Sequence, residues 1–190
     1  LNIVSKEELI EKAMAGKVVS FPTDTVPALA VLPIYSELIF SLKKRPQAKP
    51  LILMAASREK LCPYVRGTTE ELQKWQQIAQ KYWPGALTLV LPASSQVTPK
   101  MNPSDPTTIG LRVPDLAIAQ EILAQTGPLA TTSANLSGEP PYVNMQAIAA
   151  AFPEVFTLDY PVLRTTAIPS TVAKWTSDGW QILRQGKIDL

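Results

Sequence analysis

The sequence contains no histidine, and that absence removes more chemistry than any other feature of its composition. It excludes Ser-His-Asp and Cys-His nucleophilic catalysis and the common zinc sites, which draw on imidazole. Cysteine is nearly as scarce. Cys62 alone can neither close an internal disulfide nor build a structural zinc site, and it reads as a packing residue. No apolar run approaches the ~20 residues a membrane helix needs, and the start of the chain mixes acids with apolar residues where a signal peptide would have an apolar core. A soluble, cytoplasmic protein without membrane contact is expected. Neither a Walker A pattern nor Gly-x-Gly-x-x-Gly occurs, so a bound nucleotide would be held outside the P-loop and Rossmann schemes. What remains for chemistry is cations, hydroxyls, carboxylates, backbone amides or a bound metal.

The 190 residues suit one domain, which would bury roughly 70% of the surface its unfolded chain exposes. With 46% apolar and 18% charged residues, the chain is neither disordered by composition nor a charged nucleic-acid tail. A net charge of +2 says little, but its distribution says more. Between Glu37 and Glu59 there is no acid, while Lys43, Lys44, Arg45, Lys49 and Arg58 fall there.

Ser5-x-x-Glu8 predicts a capped helix over 6–15, followed by a strand over 18–21 that Pro22-Thr23-Asp24-Thr25 breaks with hydroxyls and a carboxylate. A short helix over 36–44, stopped by Pro46, leads to an apolar run over 51–56 that reads as a central strand covered on both faces. Thr68-x-x-Glu71 caps a helix to about Tyr82, and Trp83-Pro84-Gly85 turns the chain into a strand over 87–91. A polar loop over 94–106 precedes a strand at 108–113, a helix at 116–125 and a strand at 129–132. Asn144 caps a helix to Ala151, and strand-like segments follow at Phe156, 170–175 and 180–183, the last two joined by the hairpin signal Asp178-Gly179. This alternation implies an α/β or α+β sheet of mixed direction.

Lys43-Lys44-Arg45-Pro46-Gln47-Ala48-Lys49-Pro50 puts four cations at a helix end and the following turn. Cations complement a helix C-terminus at ~0.3–1 kcal/mol each, which accounts for the helix end but not for Lys49 or the missing acid. A polyanion such as a triphosphate would account for both. The Thr131 to Gly138 segment, rich in hydroxyls at a strand end, reads either as an ordinary turn or as a nest for phosphate or ribose oxygens. Thr23-Asp24-Thr25 could be a cap or a polar pocket. Arg112 lies within an apolar strand and therefore needs a partner, an internal carboxylate or an anionic ligand. Arg184 could equally be a solvated strand residue. The four tryptophans read as core and edge packing.

Taken in order, Phe21-Pro22-Thr23-Asp24-Thr25, Lys43-x-Arg45-Pro46, Lys49-Pro50-Leu51, Trp83-Pro84-Gly85, Gly110-Leu111-Arg112-Val113-Pro114, Ser133-Ala134-Asn135-Leu136-Ser137-Gly138, Ser170-Thr171-Val172 and Leu183-Arg184-x-Gly186 resemble the YrdC-like threonylcarbamoyl-AMP synthase family across nearly the whole chain. The length is similar to the short, single-domain form. The resemblance implies an α/β fold of the YrdC-like, DHBP synthase-like kind, a twisted open mixed sheet with flanking helices and a concave basic cleft. It also implies that L-threonine, bicarbonate and ATP are joined into threonylcarbamoyl-AMP and pyrophosphate, for modification of the adenosine beside the anticodon of tRNA. By position, Arg45, Lys49, Thr108, Ser133, Asn135, Pro141 and Arg184 would hold ATP, and Thr25, Arg112, Thr131 and Ser170 would hold threonine. Lys43 would lie between the two and act with Arg45 as the catalytic pair. Mg2+ would arrive with ATP, without ligands from protein side chains. The tRNA threonylcarbamoyl transferase proteins would be downstream partners, and weak RNA binding is possible. A non-catalytic module gripping double-stranded RNA or tRNA is the competing expectation. Two positions depart from the family pattern. Pro27-Ala28 stands where many relatives have tyrosine-glycine, and Met54 where longer relatives have histidine.

Overall fold

The computed structural model describes residues 1–161 and 167–190. Among them ten strands make one mixed sheet: β1 (Ile3–Val4), β2 (Val19–Phe21), β3 (Ala28–Val31), β4 (Ile52–Met54), β5 (Leu87–Pro92), β6 (Thr108–Arg112), β7 (Leu129–Ser133), β8 (Phe156–Leu158), β9 (Thr171–Thr176) and β10 (Gly179–Arg184). Their spatial order is β1-β8-β2-β3-β7-β4-β6-β5-β9-β10. The pairs β1/β8, β2/β8, β4/β6 and β5/β9 are parallel, and the rest are antiparallel. Five helices flank it: α1 (Lys6–Met14), α2 (Glu37–Lys43), α3 (Thr69–Tyr82), α4 (Ala117–Thr126) and α5 (Met145–Ala151). Mixed sheet and flanking helices agree with the expected fold class.

Local chemistry explains the helix boundaries. Ser5 accepts the amide of Glu8 at the start of α1, and Thr68 with Glu71 closes a complete capping box on α3, caps of about 1 kcal/mol each. Helix α2 ends before Pro46 is reached. Lys44 adopts a left-handed conformation (φ 49°), the Arg45 amide returns to the Phe40 carbonyl and the Lys44 amide to that of Ser41, the Schellman pattern. That reversal turns Arg45 away from the helix axis and sends the chain towards β4.

Two apolar layers hold the sheet. On one face Leu53, Leu89 and Leu111 pack with Phe40 of α2 and Trp75 and Ala79 of α3. On the other, Phe21, Met54 and Leu129 pack with Leu9 of α1, Ile122 of α4 and Ile148 of α5. The tryptophans pack as expected: Trp75 and Trp83 are buried, and Trp175 meets Trp75 and Trp180 edge to face.

Two strands are not legible in the sequence, and one expectation is corrected. The central strand β3 went unread because Val26 to Pro33 is a short apolar run between prolines, with alanine at two of its four strand positions. The two-residue β1 is too short for any periodicity. Cys62 is exposed rather than packed, because it begins a 3-10 turn outside the sheet. Among the described residues, no helix is long and apolar enough to cross a membrane.

Candidate functional site

Side chains alternate across a strand, so adjacent strands in fixed register bring every second residue to one face. Here Ile52 lies beside Gly110 and Thr131, Met54 beside Arg112, and Ala28 beside Ser133. All of these but Gly110 floor a cleft of about 290 Å³, walled by Arg45, Lys49 and Pro50 from the α2–β4 connection, by Val26 and Pro27, and by Pro169, Ser170 and Arg184. Four cations (Arg45, Lys49, Arg112 and Arg184) and no acid stand among its lining residues. A second, more apolar cavity of about 480 Å³ lies on the opposite face between α3 and Leu89, Leu91 and Leu111.

Each guanidinium is fixed by the backbone or by hydroxyls. Arg45 donates to the carbonyls of Lys49 (2.9 Å) and Pro50 (2.9 Å). Arg184, on the exposed edge strand, folds back to the Ser170 carbonyl (3.0 Å) and hydroxyl (3.1 Å), and that hydroxyl also meets Thr88 Oγ1 at 2.8 Å. Gly186 permits this fold. A Cβ there would sit 2.5 Å from the Pro169 carbonyl oxygen and from the Thr171 nitrogen. Arg112 is buried and donates to Asp24 (2.6 Å), Thr25 (2.8 Å) and the Gly85 carbonyl (3.1 Å). The partner of Arg112 is thus an internal carboxylate, and the residue also lines the cleft.

These cations oppose one another. Burial, then the charge of Arg184, holds Arg45 below its ordinary pKa. Arg112 is lowered mainly by burial and also by Arg184, while Asp24 works in the opposite direction. Like charges converging on a half-enclosed space create a field that an anion relieves.

The structure brings Thr25, Arg45, Lys49, Arg112, Thr131, Ser133, Ser170 and Arg184 to one cleft. Thr131 Oγ1 is engaged by the Ile52 carbonyl at 2.9 Å. Asn135 and Pro141 lie on the loop beyond β7, and Thr108 starts β6 against Asn102, all outside the cleft lining. Lys43 is also outside it. Only 1% exposed, its terminal nitrogen lies 2.5 Å from Ser133 O, 3.2 Å from Asn135 Oδ1 and 3.3 Å from Thr132 Oγ1, behind the end of β7 and the loop that follows. Pro27, Ala28 and Met54, the departures from the family pattern, all line the cleft. Sequence reasoning gave no role to Thr88. The signal was available for Thr88, a hydroxyl alone between Leu87 and Leu89 in an apolar strand.

Fold and cleft together define an α/β protein whose mixed sheet carries a cleft lined by four cations. The family model for Sua5, YciO and YrdC proteins, described as "Telomere recombination", matches residues 11–186, and the chain belongs to that family. The threonylcarbamoyl-AMP synthase of Vibrio campbellii is 34% identical over 146 residues, 75% of this chain and 78% of that protein. The synthase of Pyrococcus abyssi is 36% identical over 141 residues, 72% of this chain and 40% of that one. Among solved structures, P. abyssi Sua5 complexed with L-threonine superposes with a TM-score of 0.85 at 30% identity, over 96% of this chain and 55% of that chain. E. coli YciO shares the fold, with a TM-score of 0.82 at 24% identity over 97% and 90%. This chain therefore spans little more than half of the P. abyssi protein.

Proposed function

We propose that the protein is an L-threonylcarbamoyladenylate synthase, a nucleotidyltransferase that forms threonylcarbamoyl-AMP and pyrophosphate for tRNA modification in the cytoplasm. The observation that carries this reading is the convergence of Arg45, Lys49, Arg112 and Arg184 on one acid-free cleft beside the hydroxyls of Thr25, Thr131, Ser133 and Ser170. The names of the relatives and the L-threonine complex of P. abyssi Sua5 favour it over a non-catalytic RNA-binding module.

In this reading Arg112, with Thr25 and Ser170 nearby, receives the carboxylate and hydroxyl of threonine. The triphosphate lies along Arg45, Lys49, Ser133 and Arg184. Threonine's amine combines with bicarbonate, losing water, to give a carbamate. A carbamate oxygen then attacks the α-phosphorus of ATP, and the bond to the pyrophosphate oxygen breaks. No protein nucleophile is needed. The protein aligns the reactants and offsets charge on phosphate oxygens, work suited to a chain without histidine. Mg2+ would enter as part of the MgATP substrate. The labile product would pass to tRNA threonylcarbamoyl transferase proteins.

Incubation with ATP, Mg2+, bicarbonate and threonine, without RNA, tests the reading by pyrophosphate release and product mass. Arg45→Ala and Arg184→Ala should each slow adenylate formation more than tenfold, since a lost charge-assisted contact costs about 1.5–3 kcal/mol. Wild-type rates in both would sink the assignment, and steeply salt-dependent RNA binding without pyrophosphate release would favour the module instead. Serine or glycine in place of threonine reports on the wall formed by Pro27, Ala28 and Met54.

A further inference from the structure

We propose that Lys43 is a positioning residue completed by the nucleotide: it braces residues 132–135 from behind the cleft and takes up a proton as the triphosphate enters. This inference rests on the synthase reading. It moves Lys43 out of the group that touches reacting atoms, because the side chain is buried and absent from the cleft wall.

The three oxygens around the ammonium, from Thr132, Ser133 and Asn135, are all uncharged. Among the described residues Lys43 makes no ion pair. The charged groups around it do not compensate. Arg45 and Lys49, on the connection that follows α2, are cations. From β7 and its loop, Glu139 lends only its backbone carbonyl to Asn135 while its residue is exposed, and Asp24 is bound to Arg112. A buried cation without a counter-charge is costly. Burial first, then Arg45 and Lys49, brings Lys43 from an ordinary 10.5 down to about 7.

The geometry nevertheless asks for an ammonium. Asn135 Nδ2 is committed to the carbonyls of Leu136 (2.8 Å) and Glu139 (2.7 Å), which fixes Oδ1 towards Lys43 and the Ser133 hydroxyl. An ammonium has three donors for three acceptors, whereas a neutral amine has only two. A triphosphate against Arg45, Lys49 and Ser133 would offset the two repelling cations and add negative charge nearby. Protonation then becomes favourable, and all three contacts to residues 132–135 are held by donated protons.

The test is calorimetric titration with MgATP alone at about pH 8.5, in two buffers of different ionisation heat. A phosphate's own pKa near 6 keeps the ligand from titrating there. Wild type should take up close to one proton per nucleotide, with Kd weakening up to tenfold per pH unit above about 7.5. Lys43→Met and Lys43→Arg, neither of which titrates in this range, should lose both the uptake and the pH slope. Thermal melting establishes that each variant is folded, and the wild-type proton count stands without them. Nucleotide binding without proton uptake, or uptake unchanged in a folded variant, would overturn this inference alone. Absence of any nucleotide binding would overturn the synthase reading and this inference with it.

Discussion

Removing the carboxylate of Asp24 should be among the most damaging single changes in the molecule, although Asp24 touches no apolar core. Its ion pair with Arg112 is short (2.6 Å), and the two side chains are only 15% and 6% exposed. Breaking a buried pair from one side typically costs 3–5 kcal/mol, because the remaining charge is left without compensation. Arg112 keeps Thr25 and the Gly85 carbonyl in Asp24→Ala, which places the loss near the lower end, about 3 kcal/mol. For a chain of this size that corresponds to a melting temperature lower by about 6–12 °C. Urea unfolding followed by tryptophan fluorescence would measure it directly. Asp24→Asn retains an acceptor for Arg112 and should lose less. The double variant Asp24→Leu/Arg112→Met removes both charges and should recover most of the stability. A loss below about 1 kcal/mol in Asp24→Ala, or a double variant no more stable than the single one, would refute the argument that Asp24 compensates a buried charge.

Lys44→Gly should stabilise the fold by about 0.5–1 kcal/mol, because glycine accepts the left-handed backbone at no steric cost; the shift in urea midpoint checks this. Gly186→Ala should lower both thermal stability and nucleotide affinity, since its Cβ would collide with the backbone that positions Ser170 for Arg184. Lys43 also predicts a pH trend. Its folded pKa of about 7 lies below its ordinary 10.5, so between those values the unfolded state binds more protons and stability rises with pH. The slope is at most about 1.4 kcal/mol per pH unit. Wild-type stability relative to Lys43→Met, measured by urea unfolding at several pH values, should therefore improve from about pH 7 upwards and be flat below it.

Elements with a strong local signal were readable from the sequence: the capping box of α3, the Asp178-Gly179 hairpin and the apolar run containing β4 all stand where pattern predicts. β3 was not, because its alanines and flanking prolines carry no strand preference, and its place between β2 and β7 is set by antiparallel pairing with segments far along the chain. Strand order is equally non-local. Nothing near Thr171 announces that β9 will pair with β5. The cleft residues were legible as motifs, whereas their partners were not. Whether Arg112 pairs with Asp24 or with a ligand, and whether Arg184 is solvated or folded onto Ser170, depends on tertiary approach. The burial of Lys43 is hidden for the same reason. A lysine at a helix end is ordinarily a solvated complement to the dipole, and only the arrival of the Thr132–Asn135 loop encloses this one.

The alternation of Leu111 and Arg112 along β6 also bears on how the sheet assembles. Were β6 to dock on β4 and β5 one residue out of step, Leu111 would face the cleft and the guanidinium would be driven among Leu53, Leu89 and Trp75. That layer offers it no carboxylate, and the isolated charge would cost several kcal/mol. The misaligned sheet would be less stable by that amount. The residue proposed to hold the substrate's carboxylate would thereby also disfavour a misregistered sheet, and a variant chosen to alter the pocket at Arg112 would weaken that discrimination as well as binding.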